Sequence, residues 1–234
     1  MPAPEHRNDH APFPAHQARR IAGAFAPRQP WGNWWDYWYT RIKLGSDPLY
    51  PGVIAALRGS RAPILDLGCG LGLFAHALRA AGLAQPYRGL DIDAAKIGRG
   101  RQIATRSGLA DVQLDVHDLA QGWPQHRGSV TILDVLQYLD APTQLALLND
   151  AAAMLGADGV LVIRSTLAED SGRGRTSLRA DSWAHRIGWM QERPLHYPTA
   201  DGLRQTLQTA GLQVQLQPLY GNTPFNNWLV VARR

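Results

Sequence analysis

Cysteine is all but missing from this chain: Cys69 is the only one in 234 residues. No internal disulfide can form, and no cysteine-built zinc cage. Lysine is nearly as scarce. Lys43 and Lys96 are the only two, so the formal net charge of +5 is carried by arginine. That excess is too mild to call for a nucleic-acid partner, and none is expected. No apolar run approaches the roughly 20 residues of a membrane span, and the N-terminus lacks the apolar core of a secretory signal. The expectation is a cytoplasmic protein with no metal site.

What is present is an alternating α/β pattern. Residues 1–30 are rich in Pro, Ala, His and Arg without a clean period, which predicts a mobile arm with a short helix around Gln17 to Phe25. Residues 31–58 open with Trp31-Gly-Asn-Trp34-Trp35-Asp-Tyr37-Trp38-Tyr39, half of the chain's eight tryptophans. This segment reads as a helix packed on the core by its aromatic face, as a lid over an apolar substrate, or as a peripheral contact at membrane headgroup depth. From residue 59 strands are expected at Ala62–Leu67, Tyr87–Ile92, Val112–Val116, Val130–Leu136 and Val160–Arg164, with helices between them. Pro142 to Leu155 reads as an amphipathic helix with Leu145, Leu148, Ala152 and Leu155 inward. Residues 167–199 break the rhythm as an insertion. A helix over Asp201 to Ala210 and strands at Val214–Leu219 and Trp228–Ala232 complete the chain. Alternation of this kind implies a parallel sheet with helices on both faces.

The chemistry concentrates at the carboxyl ends of the strands, where open α/β sheets bind ligands. Asp66-Leu67-Gly68-Cys69-Gly70-Leu71-Gly72 reads as strand, glycine turn, helix, with turn N–H groups facing a ligand. Asp91 ends the second strand and suits a ribose diol. Asp118 follows the third and suits an exocyclic amine. Asp134 ends the fourth. Such an acidic lining repels a pyrophosphate and attracts a sulfonium with an ammonium group. The competing reading is an NAD(P)-dependent oxidoreductase, since Gly70-Leu-Gly72-Leu-Phe-Ala75 passes a relaxed dinucleotide pattern.

On these residues the sequence resembles the class I S-adenosylmethionine-dependent methyltransferases. Ile64-Leu-Asp-Leu-Gly-Cys-Gly-Leu-Gly72 is similar to their first motif and Gly89-Leu-Asp91 to their second. Asp118 and Thr131-Ile-Leu-Asp134 are similar to the third and fourth. The resemblance implies a Rossmann-like three-layer sandwich with a seven-stranded, mostly parallel sheet whose last strand is antiparallel. It implies S-adenosylmethionine as cofactor, with Gly68 and Gly70 near the methionine moiety and Asp66 orienting the turn and the ammonium group. It further implies Asp91, followed by Ile92, at the ribose, Asp118 with Leu119 at the adenine, and Asp134 in the same lining.

For the acceptor, absences are informative again. Asp134-Val135-Leu136-Gln137 lacks the Pro-Pro-aromatic sequence of nucleic-acid amino methyltransferases, and Cys69 is misplaced for a cytosine C5 enzyme. A small acceptor is favoured over RNA, which stays open as an alternative. Leu161-Val-Ile-Arg164 and Pro218-Leu-Tyr-Gly-Asn-Thr-Pro-Phe-Asn-Asn227, with Lys43-Leu44 and Asp47-Pro48, resemble methyltransferases found with aryl-polyene pigment biosynthesis. That resemblance implies an aryl or phenolic acceptor, free or attached to an acyl carrier. Candidate general bases are His185 and His196, with Tyr138 as an orienting group. Phe225-Asn226-Asn227 are candidate substrate contacts. Arg164 is expected either to bind an acceptor carboxylate or to pair with a strand-end acid.

Overall fold

Strand and helix alternate as the periodicity requires. The computed structural model describes residues 11–118, 122–168, 196–221, 223 and 225–234. The strands are β1 (Ile64–Leu67), β2 (Tyr87–Asp91), β3 (Val112–Val116), β4 (Ser129–Leu133), β5 (Leu161–Thr166), β6 (Gln213–Pro218) and β7 (Asn227–Arg233). They form one seven-stranded sheet in the order β3-β2-β1-β4-β5-β7-β6. β7 runs antiparallel to β5 and β6, while the other pairings are parallel. The strand order reverses between β1 and β4, which opens a crevice at their carboxyl ends.

The sheet is buried on both faces, so its strands are apolar throughout and alternate between two cores. Ile64, Tyr87, Leu114, Val162 and Val231 face α1 (Ala15–Ala22), α2 (Trp35–Ser46), α3 (Leu49–Leu57), α4 (Leu73–Ala80) and α5 (Ala94–Arg106). Leu65, Leu90, Ile132, Ile163 and Val230 face α6 (Ala141–Ala153) and α7 (Ala200–Thr209). Asp93, Asp140 and Thr199 cap α5, α6 and α7 by accepting first-turn N–H groups.

Four expectations change. β4 stops at Leu133 rather than Leu136, because Asp134 takes φ +61° and turns the chain into a short 3₁₀ turn, Leu136–Tyr138. In α6, Leu148 and Ala152 are buried as expected, and so is Leu155 just beyond it, but Leu145 is exposed, and Gln144, Leu147 and Ala151 complete the inward face. The cause is Gln144, whose amide donates to the carbonyls of Leu136, Leu139 and His196 and must therefore face inward. The stretch expected as a mobile arm is packed from Phe13 onward, with Ala18, Ile21, Ala22 and Phe25 buried and Arg106 donating to the Ala24 and Ala26 carbonyls.

The fourth change concerns α2. Its aromatic face does not pack on the core. Asp36, Thr40 and Leu44 are buried, whereas Trp34, Trp35, Trp38, Tyr39 and Ile42 are exposed. The charged groups Asp36 and Lys43 have partners that hold the helix this way round. Asp36 pairs with Arg99 of α5 at 3.0 Å, and Lys43 pairs with Asp47 at 2.9 Å and Asp134 at 3.1 Å. Such partnered charges resist being turned out, and α2 is an amphipathic helix worn inside out.

Candidate active site

The turn after β1 is built on left-handed backbone at Gly68 (φ +79°), Gly70 (φ +56°) and Gly72 (φ +73°). Two of these glycines serve different ends. A Cβ on Gly68 would lie 2.3 Å from Val135 Cγ2, so this glycine lets the segment after β4 close on the turn. A Cβ on Gly70 would meet nothing within 4 Å, which leaves that side open to a ligand. Part of the expected N–H cradle is already paired inside the protein. Gly68 and Cys69 donate to the Leu90 carbonyl, Gly70 to Asp91 Oδ2 and Gly72 to the Cys69 carbonyl. With these four donors consumed inside the protein, fewer are left for a pyrophosphate, which the acidic lining also repels. Gly89 of β2 completes the packing: a Cβ there would lie 2.7 Å from Cys69 Sγ.

Asp66 lies beneath the turn, almost fully buried. It pairs in register with Thr131 of β4, whose hydroxyl donates to Asp66 Oδ1 at 2.6 Å. The Tyr87 hydroxyl donates to Asp66 Oδ2 at 2.5 Å. Burial pushes the Asp66 carboxyl up to about 6, against the pull of these two hydroxyls, and the nearby Asp91 charge adds to the rise. Tyr87 continues an aromatic row: Phe74 meets it edge-on at 6.2 Å, and Tyr50 stacks on Phe74 at 5.8 Å.

Asp91 ends β2 at the open side of the turn. Its Oδ2 accepts from the Gly70 N–H at 2.8 Å and its Oδ1 from the Asp93 N–H at 2.9 Å. The carboxylate is thereby aimed, with lone pairs left for a diol. Ile92 beside it is 68% exposed, an apolar surface at the crevice mouth. Asp118 follows β3 and is half-buried. Leu119 lies outside the described residues, as does His185.

Asp134 is engaged in an ionic hub. Arg164 of β5, buried to 2% exposure, donates through one guanidinium nitrogen to both Asp134 oxygens at 2.6 and 2.5 Å. Its other terminal nitrogen donates to both oxygens of Asp47, at 3.1 and 3.0 Å. Lys43 bridges the same two carboxylates. Of the two expectations for Arg164, the strand-end acid is the observed partner. Burial works against each charge, but the opposite charges win. Arg164 and Lys43 hold the Asp47 carboxyl down at about 2, and Asp134 and Asp47 keep Lys43 charged.

His196 and Tyr138 are neighbours in space. The His196 N–H donates to the Gln137 carbonyl, and its own carbonyl accepts from Gln144, which sets its exposed side chain beside the turn that carries Tyr138. Asn226 and Asn227 are buried and bolt the last hairpin to the end of β5. Asn226 donates to the Leu167 carbonyl, and Asn227 accepts from the Thr166 hydroxyl. Sequence reasoning missed the roles of Thr131, Tyr87, Gln137 and the Lys43–Asp47 pair. The last carried a signal, an i, i+4 pair containing one of only two lysines.

The residues present fit a cationic cofactor with an apolar ring. Carboxylates lie at the turn, Ile92 is exposed at the mouth, and the N–H groups of Gly68, Cys69, Gly70 and Gly72 are already paired. Comparison with known proteins agrees. A family model described as Methyltransferase domain matches residues 48–217. The chain is 29% identical over 110 residues to a ubiquinone biosynthesis O-methyltransferase of Neisseria meningitidis, covering 46% of this chain and 44% of that protein. It is 30% identical over 118 residues to a ribosomal protein L11 methyltransferase of Pseudomonas putida, covering 50% of this chain and 38% of that protein. The chain thus spans less than half the length of these curated relatives. Among solved structures it resembles in fold the magnesium protoporphyrin IX methyltransferase of Synechocystis PCC 6803 with bound SAH. There the TM-score is 0.63 at 18% identity, over 94% of this chain and 93% of that one. An O-methyltransferase family protein of Burkholderia thailandensis gives a TM-score of 0.61 at 20% identity, over 85% and 59%. These findings overturn the oxidoreductase alternative.

Proposed function

We propose, for a chain that belongs to the class I S-adenosylmethionine-dependent methyltransferases, that the acceptor is a small aryl or phenolic molecule methylated at its hydroxyl oxygen. The observation that carries this reading is the charge balance of the crevice. Lys43, Asp47, Asp134 and Arg164 neutralise one another, so these four groups offer an acceptor no unpaired charge. A nucleic-acid backbone needs free cations along its path. A neutral ring makes no such demand on the crevice. The likeness to O-methyltransferases supports oxygen as the attacking atom. The aryl group is free or attached to an acyl carrier.

S-Adenosylmethionine, when bound, supplies a sulfonium methyl carbon open to in-line displacement. The chain supplies position and a path for the proton. Asp91 would hold the ribose hydroxyls, with Ile92 beside it. Asp66 would face the ammonium group from beneath the turn, and Gly68 and Gly70 would leave room for the methionine moiety. Asp118 with Leu119 would stand at the adenine. A phenol of pKa ~10 is mostly protonated at neutral pH. An imidazole nitrogen of His196 would accept that proton, with Tyr138 orienting the ring. His185 is the second candidate for that proton.

The test is transfer of labelled methyl from S-adenosylmethionine to a panel of phenols, free and carrier-bound, with RNA as a third arm. Label on a phenolic oxygen is expected; label on RNA alone, or on none of these acceptors, overturns the reading. On the accepted phenol, His196→Ala should lower kcat by roughly a hundredfold. A wild-type kcat in both His196→Ala and His185→Ala would remove the base and leave positioning alone.

A further inference from the structure

The exposed face of α2 is the largest feature that methyl transfer leaves unexplained. Trp31 is 81% exposed, Trp35 50%, Trp38 48% and Ile42 47%, with Trp34 and Tyr39 at 40%. Positions 35, 38, 39 and 42 fall on one stripe of the helix. A surface of this size costs hydration free energy unless something covers it. Asp36 and Lys43 are tied to Arg99, Asp47 and Asp134, so the helix cannot roll over to hide its rings.

We infer that this face is a docking surface for an anionic lipid bilayer. The first argument is side-chain chemistry. Indole and phenol rings carry an apolar body and a polar tip, which suits the headgroup boundary better than a dry protein core. The second is charge. Between residues 11 and 46 the only carboxylate is Asp36, and it is buried against Arg99. Arg19, Arg20 and Arg28 are exposed, and the Arg41 guanidinium sits 5.2 Å over the Trp38 ring. α1, which carries Arg19 and Arg20 in its last turn, packs beside α2. Residues 11–46 thus offer exposed aromatic rings, exposed arginines and no exposed acid, complementary to anionic headgroups. The contact is peripheral, since no helix among the described residues is long and apolar enough to cross a membrane. One flank of α2 reaches Asp134 through Lys43, so the docked face and the crevice share one helix. This inference does not depend on which acceptor is methylated.

Co-sedimentation with vesicles of phosphatidylglycerol and phosphatidylcholine tests it, read alongside quenching of tryptophan emission by brominated lipid. Wild type should pellet with the anionic vesicles, and less so as salt rises. The double variant Trp35→Ser, Trp38→Ser should bind roughly tenfold or more weakly, with an unchanged melting temperature and unchanged S-adenosylmethionine affinity. Trp31→Ser, at the most exposed ring, is a second variant for which loss of folding is no explanation; it should weaken vesicle binding in the same sense. Wild type that stays in the supernatant overturns the inference, as does equal binding by all variants. A dimer that the double variant dissociates, without vesicle binding, assigns the face to a second copy of this chain and overturns it too.

Discussion

Asp66 and Asp47 are both buried carboxylates within the same half of the molecule, and they are treated in opposite ways. Asp66 is met only by hydroxyls, from Thr131 and Tyr87, and burial carries its carboxyl up to about 6. Asp47 is met by the Arg164 guanidinium and the Lys43 ammonium, which hold it at about 2. Hydroxyls orient a charge without neutralising it; cations do both. Asp66 is therefore short of a countercharge, at the place where the cofactor's ammonium group is expected. Asp47, with Asp134, is complete without any ligand. The first carboxylate is left without a countercharge, and the second fastens α2 to β5.

The largest expected effect tests the fastened side. Arg164→Met leaves Asp47 and Asp134 with only Lys43 between them and should cost about 3–5 kcal/mol in urea unfolding. Asp66→Asn keeps its shape and loses no cation, and should cost about 1–3 kcal/mol. Equal losses in the two variants would erase the distinction. Next comes Asp91→Ala, which removes the acceptor aimed at the ribose. Cofactor affinity measured by calorimetry should fall by about a hundredfold while the fold persists. Unchanged affinity would remove the ribose assignment.

The smallest effect in wild type is a pH profile in which two opposed slopes partly cancel. Asp66 is raised from 3.8 to about 6, so its contribution is present at low pH and is lost as pH rises through 6. His76, buried under Phe25 with Arg106 nearby, is lowered from 6.5 to about 4, so its contribution is present above 6.5 and is lost as pH falls through 4. Each is worth ~3 kcal/mol across the window, with opposite sign. Stability measured between pH 4 and 6.5 should therefore change less steeply in wild type than in a variant that lacks one of the two groups. It should rise with pH in Asp66→Asn and fall with pH in His76→Gln. Parallel profiles in all three proteins would show that neither shift is real.

Much of this arrangement was legible in the sequence. Strand ends carry the glycine turn and the acids because the parallel sheet puts every strand's carboxyl end on one side, and the alternation of strands and helices announces that sheet. The orientation of α2 was not legible. Its apolar stripe is stronger than its polar one, and period alone assigns the apolar stripe to the core. Only the partners of Asp36 and Lys43, 63 and 91 residues away in Arg99 and Asp134, reverse it. Gln144 misled for the same reason: an amide that closes three loop carbonyls is worth more inside than Leu145. The hub was half visible. Lys43 and Asp47 stand one turn apart, but nothing local joins them to Arg164.

The turn after β1 also seals in Cys69, whose sulfur fills the space a side chain on Gly89 would need. The chain's single thiol is thus a latent gauge. An alkylating reagent reaches it only when the turn lifts off β2, so the rate of its labelling counts the excursions of the cofactor loop, with no probe added to the protein.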